Sequence, residues 1–273
     1  MTKNYLTYPC KVMNITQGYT GSYTHSQHNI GSPKDYPWDE ACEGSGRSAM
    51  YCPCDEIKIK KIYGVGNRGT NTIWLESTSK VFFADGTNGY FTMLIIHPND
   101  SDIRDLYVGQ KFKRGQIICY EGTDGNATGN HFHFSTGKGK NGTWTENSRG
   151  KWVLTCSGGT YKPEKLFYID PAFTTIKNSR GIEFKTLPSE YSKGHYNVTV
   201  SELNVRTGPG TEYPKVTYDK FSASAKRQIK KLKGKDYKKS CFVKGMILSI
   251  RKVDGVWGKA PSGWVCLDHC EKR

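Results

Sequence analysis

The stretch Gly129-Asn130-His131-Phe132-His133-Phe134-Ser135 decides how this chain is read. In an extended strand, residues two apart point to the same face. Here the two imidazoles project together while Phe132 and Phe134 enter a core. Two imidazoles on one face form half of a metal site, so the strand supplies both a fold signal and a chemical one.

Outward from it, the chain keeps the same period. Asp55 to Tyr63 alternates as a half-buried strand, Gly64-Val65-Gly66-Asn67-Arg68-Gly69 turns the chain, and Asn71 to Leu75 runs back, which predicts a hairpin. The GxGxxG inside that turn would indicate a dinucleotide site only if a helix came next. The next residues, Asn71-Thr72-Ile73-Trp74-Leu75, are instead rich in β-branched and aromatic side chains, so the motif reads as a turn. Further strands are expected at Lys80 to Phe83, Tyr90 to Ile96, Gln116 to Tyr120 and Asn130 to Thr136. Helical signal is confined to a turn at Ser101 to Leu106 and a short segment at Pro163 to Phe167. The expected class is mainly β.

The 273 residues exceed the usual size of one domain, and Leu187 to Gly194 reads as a polar linker bearing Pro188 and Gly194. The expected organisation is a first domain at 1–187, a linker at 188–195 and a small β domain at 196–273. Of the formal charge of +15, residues 1–187 carry 22 basic and 17 acidic side chains, and 188–273 carry 18 and 8. The smaller part therefore holds most of the excess. The longest strongly apolar run, Met93 to Ile96, is far short of a bilayer span, so no membrane insertion is expected. Met1 to Tyr5 lacks the basic start and apolar stretch of a secretory signal. Nine cysteines read as reduced thiols. Cys52-Pro-Cys54 beside Cys42 has too short a gap for a zinc knuckle.

The remaining histidines gather near chemistry. Thr24-His25-Ser26-Gln27-His28, with Asp35 and Asp39 downstream, offers one or two imidazoles and a carboxylate. Two His plus one Asp, with a fourth place open to water, is the ligand set of a catalytic zinc. His97 ends the apolar strand Thr92 to Ile96, where a side chain emerges from a sheet into a cleft. No HExxH helix is present, which excludes the thermolysin-type arrangement.

Taken together, Ile15-Thr16-Gln17-Gly18-Tyr19, a downstream His, Tyr36-Pro37-Trp38-Asp39, the strand ending in His97, Val108 to Gln116, and Gly122-Thr123-Asp124-Gly125-Asn126 through His133 resemble the lysostaphin/LytM-type zinc peptidases over roughly residues 12–137. The resemblance implies an antiparallel β-sheet metallopeptidase that cleaves peptide bonds in peptidoglycan stem peptides or cross-bridges. It implies that an upstream His, Asp39 and His133 hold Zn²⁺, and that His97 and His131 are the catalytic pair that activates water. The spacing between the first His and Asp39 is longer than the family's. The preceding segment aligns best with His25 as ligand, with His28 as the alternative, and leaves Asp35 as a loop charge. Residues 138–187 extend beyond the family core, either widening a substrate groove or packing an edge, with Trp144 and Trp152 as candidate wall residues.

From Tyr196 onward, Leu203-Asn204-Val205-Arg206-Thr207-Gly208-Pro209-Gly210 and Gly263-Trp264-Val265 are similar to bacterial SH3-like cell-wall-binding domains, implying a small β-barrel. Its middle carries Lys220, Lys226, Arg227, Lys230, Lys231, Lys233, Lys235, Lys238 and Lys239. These form either a solvated insertion or a surface for anionic wall polymers. The expectation is a peptidoglycan hydrolase in the role of a bacteriophage endolysin, held in the host bacterial cytoplasm until a holin opens the membrane. The expected partner is bacterial, Gram-positive peptidoglycan, with no nucleic acid and a monomeric state. An amidase on the same polymer and a non-enzymatic wall-binding protein are the alternatives.

Overall fold

The computed structural model describes residues 3–20, 23–42, 46–64, 70–188 and 191–273. The chain divides into two compact units, Met1–Leu187 and Pro188–Arg273. Strands dominate both. Among the described residues, no helix is long and apolar enough to cross a membrane.

The first unit is built on an eight-stranded sheet. Its strands are β1 (Val12–Gln17), β2 (Trp38–Glu40), β3 (Glu56–Tyr63), β4 (Thr72–Ser77), β5 (Phe91–Ile96), β6 (Lys111–Lys113), β7 (Phe132–Lys138) and, later in the chain, β10 (Thr175–Asn178), in the order β10-β1-β2-β7-β5-β4-β3-β6. All neighbours are antiparallel except β1 and β10. The hairpin of β3 and β4 is therefore present, while residues 65–69 of its expected turn lie outside the described residues.

The strand β7 is central because Phe132 and Phe134 turn into the core while His133 between them faces the other side. Phe132 and Phe134 are fully buried and stacked with ring centroids 5.0 Å apart. Trp38, paired with Phe134 in register, packs against it at 5.2 Å. Glu40 is also turned inward from β2, where the Tyr8 hydroxyl and the Asn14 amide donate to its carboxylate. With Trp38 and Glu40 inward, Asp39 between them must point to the opposite face.

That opposite face is partly covered by a hairpin of β8 (Thr143–Glu146) and β9 (Trp152–Thr155), drawn from the region beyond residue 137. Leu154 packs on Trp74 and Leu94, and the Trp144 ring meets Trp74 edge-on at 5.9 Å. The hairpin tip is tied down by Asn147 Nδ2 donating to Gln27 O at 3.0 Å and the Ser148 amide donating to Ser32 O at 3.1 Å. Within residues 138–187, this hairpin lays a wall along one face of the sheet, while β10 pairs with β1 at the sheet's edge. Trp144 and Trp152 remain 36% and 58% exposed on that wall.

Helices are few. One, α1 (Tyr23–Ile30), is not legible in the sequence, because Tyr23-Thr24-His25-Ser26-Gln27-His28-Asn29-Ile30 has no apolar stripe. Two short ones, α2 (Asp100–Ile103) and α3 (Pro163–Leu166), fall where helical turns are expected.

The second unit contains a three-stranded sheet in which β11 (Gly194–Val198) lies between β14 (Ile247–Ile250) and β18 (Cys270–Lys272). A pair, β12 (Glu202–Asn204) with β13 (Cys241–Val243), and a meander of β15 (Lys252–Asp254), β16 (Trp257–Ala260) and β17 (Gly263–Cys266) complete it. The lysine-rich run is not a plain insertion. Its middle part, with Lys226, Arg227, Lys230, Lys231 and Lys233, forms α4 (Ala223–Lys233), capped by the Ser222 side chain accepting from the Ala225 amide and ended at Gly234 with φ of +90°. Ala225 and Ile229, four apart, enter the core with Phe221 and Phe242, while Arg227, Lys230, Lys231 and Lys233 point away from it.

This division of faces is testable. Ile229→Ala should destabilise the second unit by roughly 2–5 kcal/mol, the usual cost of emptying a buried aliphatic site, whereas Lys230→Ala should stay within about 0.5 kcal/mol. Urea unfolding of the full-length variants measures both.

Candidate metal centre

The site grows out of strand register. His133 on β7 stands directly opposite Asp39 on β2 and Ile96 on β5. Side chains opposed in adjacent antiparallel strands stand about 5 Å apart at Cβ, so the carboxylate and imidazole meet without any loop having to place them. Helix α1 brings His25 to the same point. Asp39 Oδ1 lies 3.1 Å from His133 Nδ1 and 3.4 Å from His25 Nε2. Among the described residues, His25, Asp39 and His133 are the one group of three metal-capable side chains whose donor atoms converge, all within 4.8 Å of one another. Among the described residues, Cys42, Cys52 and Cys54 form no such group, and all nine cysteines are free thiols.

The electrostatics of the three suit a cation. Burial by itself would raise the Asp39 carboxyl, but the imidazoles of His133 and His25 hold it well below the usual carboxylate range, so it is ionised. Burial pushes His133 down, against the opposing pull of Asp39, which favours the neutral ring with a free lone pair. Asp39 Oδ1 is buried and makes no aligned hydrogen bond in spite of its two close nitrogens. An ionised, orphaned oxygen between two imidazole nitrogens fits a divalent metal, and two nitrogens with one oxygen fit zinc with a fourth position open.

Beside this group stand His97 and His131, with ring centroids 4.4 Å apart. His97 lies 6.2 Å from the His133 ring. Each directs Nδ1 at a backbone carbonyl: His97 at Asp124 O, 2.7 Å, and His131 at Gly129 O, 2.9 Å. A carbonyl can only accept, so Nδ1 carries the proton in both rings and Nε2 is left as an acceptor. His97 is held with φ of +82°, a left-handed backbone that costs an ordinary residue about 1–3 kcal/mol. Its amide donates to Asn71 O and its carbonyl accepts from the Asp124 amide. Gly122 permits the close approach, since a Cβ there would collide with His97 O. Burial lowers the His97 imidazole to about 4, with the nearby imidazole of His131 adding to the effect and the Asp124 carbonyl opposing it.

His28 and Asp35 pair beside the converging group. His28, three residues after His25 on α1, lies 6.1 Å from the His25 ring and 6.0 Å from the His133 ring but is outside the converging group. Its Nδ1 is 3.1 Å from Asp35 Oδ1. Asp35 is not a solvated loop charge: it is 1% exposed, and its other oxygen accepts from the Leu154 amide of β9 at 2.8 Å. Nothing in the local residue pattern marks this contact, because Leu154 is 119 positions away.

No known family model matches the chain. Morphogenesis protein 1 of Bacillus phage B103 is 31% identical over 137 residues, covering 48% of this chain and 32% of that protein. The chain thus spans about a third of the length of this curated relative. Among solved structures, a zinc-containing peptidase from Vibrio cholerae shares 19% identity with a TM-score of 0.33, over 56% of this chain and 39% of that one. The antimicrobial peptidase lysostaphin from Staphylococcus simulans shares 16% with a TM-score of 0.34, over 93% and 87%. These neighbours are peptidases. The superpositions are loose, and the chemistry of the site rests on its own side chains.

The tautomers make a direct prediction. In a ¹H–¹⁵N long-range NMR titration, His97 should remain neutral and Nδ1-protonated from pH 7 down toward about 4, where an exposed imidazole titrates near 6.5. Protonation of His97 near 6.5 would contradict its burial as the cause of the lowered value.

Proposed function

We propose that this chain is a zinc-dependent peptidoglycan endopeptidase. The observation that carries the reading is the convergence of His25, Asp39 and His133 beside a His97–His131 pair whose Nε2 atoms are both left as acceptors. His25, Asp39 and His133 would hold the ion. Zinc bound there supplies a Lewis acid that polarises a scissile carbonyl and brings the pKa of water near 7.

The protein's own groups do the rest. An Nε2 acceptor on His97 or His131 takes the proton of the attacking water. The ring that gains it becomes a donor, able to stabilise the oxyanion and then to return the proton to the leaving amine. Fixing Nδ1–H on a backbone carbonyl keeps each ring from rotating away, so the proton moves at one nitrogen only. The wall formed by β8 and β9 limits approach to one side of the sheet, which suits an extended peptide.

The second unit, with its short paired strands and the Leu203 to Gly210 and Gly263 to Val265 motifs, is proposed as an SH3-like wall-binding domain. The outward cations of α4 favour anionic wall polymers as its partner, through long-range attraction that salt screens. An endolysin kept in the host cytoplasm until holin-mediated release is one setting for such an enzyme. The likeness to a phage morphogenesis protein favours a second, in which the enzyme travels with the virion. Mass spectrometry of purified virions separates them: an endolysin is absent, a virion component is present in fixed stoichiometry.

Activity is tested on Gram-positive peptidoglycan with and without a zinc chelator, with mass spectrometry of the released fragments. Chelator-sensitive cuts within peptides are expected, whereas cuts at the lactyl amide would make the enzyme an amidase. His133→Ala and Asp39→Ala should lose both zinc and lysis. His97→Ala and His131→Ala should keep zinc and lose roughly 10²–10⁴-fold in turnover, the usual worth of a positioned acid–base group. Loss of metal from either would exchange the assigned roles.

A further inference from the structure

Resting on that peptidase reading, we propose that His28 is a substrate-contacting residue, accepting a backbone N–H of the bound peptide through Nε2, and that Asp35 is the positioning residue that sets its tautomer. Asp35 is a buried carboxylate with 1% exposure, and both its oxygens are committed: one to His28 Nδ1 at 3.1 Å, the other to the Leu154 amide at 2.8 Å. Its backbone is also closed onto α1, the Asp35 amide donating to His28 O at 3.2 Å. A carboxylate oxygen facing a ring nitrogen accepts, so His28 Nδ1 carries the proton and Nε2, on the ring edge away from Asp35, becomes an acceptor.

The position of that acceptor gives it a use. His28 is 6.0 Å from the His133 ring and 6.1 Å from the His25 ring, so it flanks the metal group. Its side chain is 16% exposed, enough to be reached. Among the described residues, no hydrogen-bond partner takes its Nε2. An extended peptide presents amide hydrogens along its length, and an acceptor held in place beside the metal group fits one of them. The second oxygen of Asp35 links this contact to β9, so the same carboxylate that orients His28 also anchors the hairpin wall.

The test uses the full-length, zinc-loaded protein and muropeptides released from Gram-positive peptidoglycan by a muramidase, with kcat, KM and zinc per chain measured together. His28→Ala should keep its zinc and hold kcat within about twofold while KM rises about tenfold. His28→Gln, whose Oε1 can accept where Nε2 did, should recover part of that loss. In Asp35→Asn the Leu154 amide claims the carbonyl oxygen, which turns the amide NH₂ toward His28 and forces its proton to Nε2. KM should then rise as in His28→Ala, with the thermal midpoint recorded to separate this from unfolding. Zinc loss in His28→Ala would make His28 a ligand and overturn the proposal. A fall in kcat at constant KM would make it a proton-transfer group, and unchanged constants would make it a bystander. Wild-type protein that holds zinc yet cuts no muropeptide would refute the peptidase reading itself, and this contact with it.

Discussion

Everything in the first unit depends on one pairing: the register that sets Asp39 of β2 opposite His133 of β7. Because side chains alternate across a sheet, a slip of one residue would bury the carboxylate and expose Trp38. The register is held from the other face. Trp38 packs against Phe134, Phe132 stacks on Phe134, and Glu40 is pinned by the Tyr8 hydroxyl and the Asn14 amide. The apolar core therefore fixes the polar site, and the ligands inherit their spacing from the strand separation.

Around that fixed pair, less regular segments add the remaining groups at some cost. His97 is held in a left-handed conformation by the loop that contains Gly122 and Asp124. His25 comes from a short helix with no apolar stripe, and its neighbour His28 is steadied by a buried carboxylate. His97, His131 and His28, which flank the ligand group, each face an oxygen of the protein with Nδ1: Asp124 O, Gly129 O and Asp35 Oδ1 respectively. The site is thus built with these three rings each held at one nitrogen by a fixed oxygen.

Much of this is legible from residue pattern. Period-two alternation exposes the His131–His133 pair and its Phe partners, and a strand that ends in His97 announces a side chain emerging from the sheet into a cleft. The hidden parts have a common cause. Helix α1 has no apolar stripe, so no hydrophobic period marks it. Helix α4 buries just Ala225 and Ile229 beneath a lysine-rich surface, and the charges mask the helix in the sequence. Asp35 looks like a loop charge because the amide that satisfies it, that of Leu154, comes from a distant hairpin. The role of residues 138–187 is open in the sequence for the same reason, since the contacts of Leu154 with Trp74 and Leu94 are not local.

The central claim is the identity of the donor set, and X-ray absorption at the zinc edge of the loaded, full-length protein tests it most directly. The expected result is a first shell of nitrogen and oxygen only, with two imidazoles, one carboxylate and one exchangeable oxygen, and no sulfur. Sulfur scattering would place the metal on cysteines, and a third imidazole would bring His28 into the shell; either result would contradict a site built on His25, Asp39 and His133.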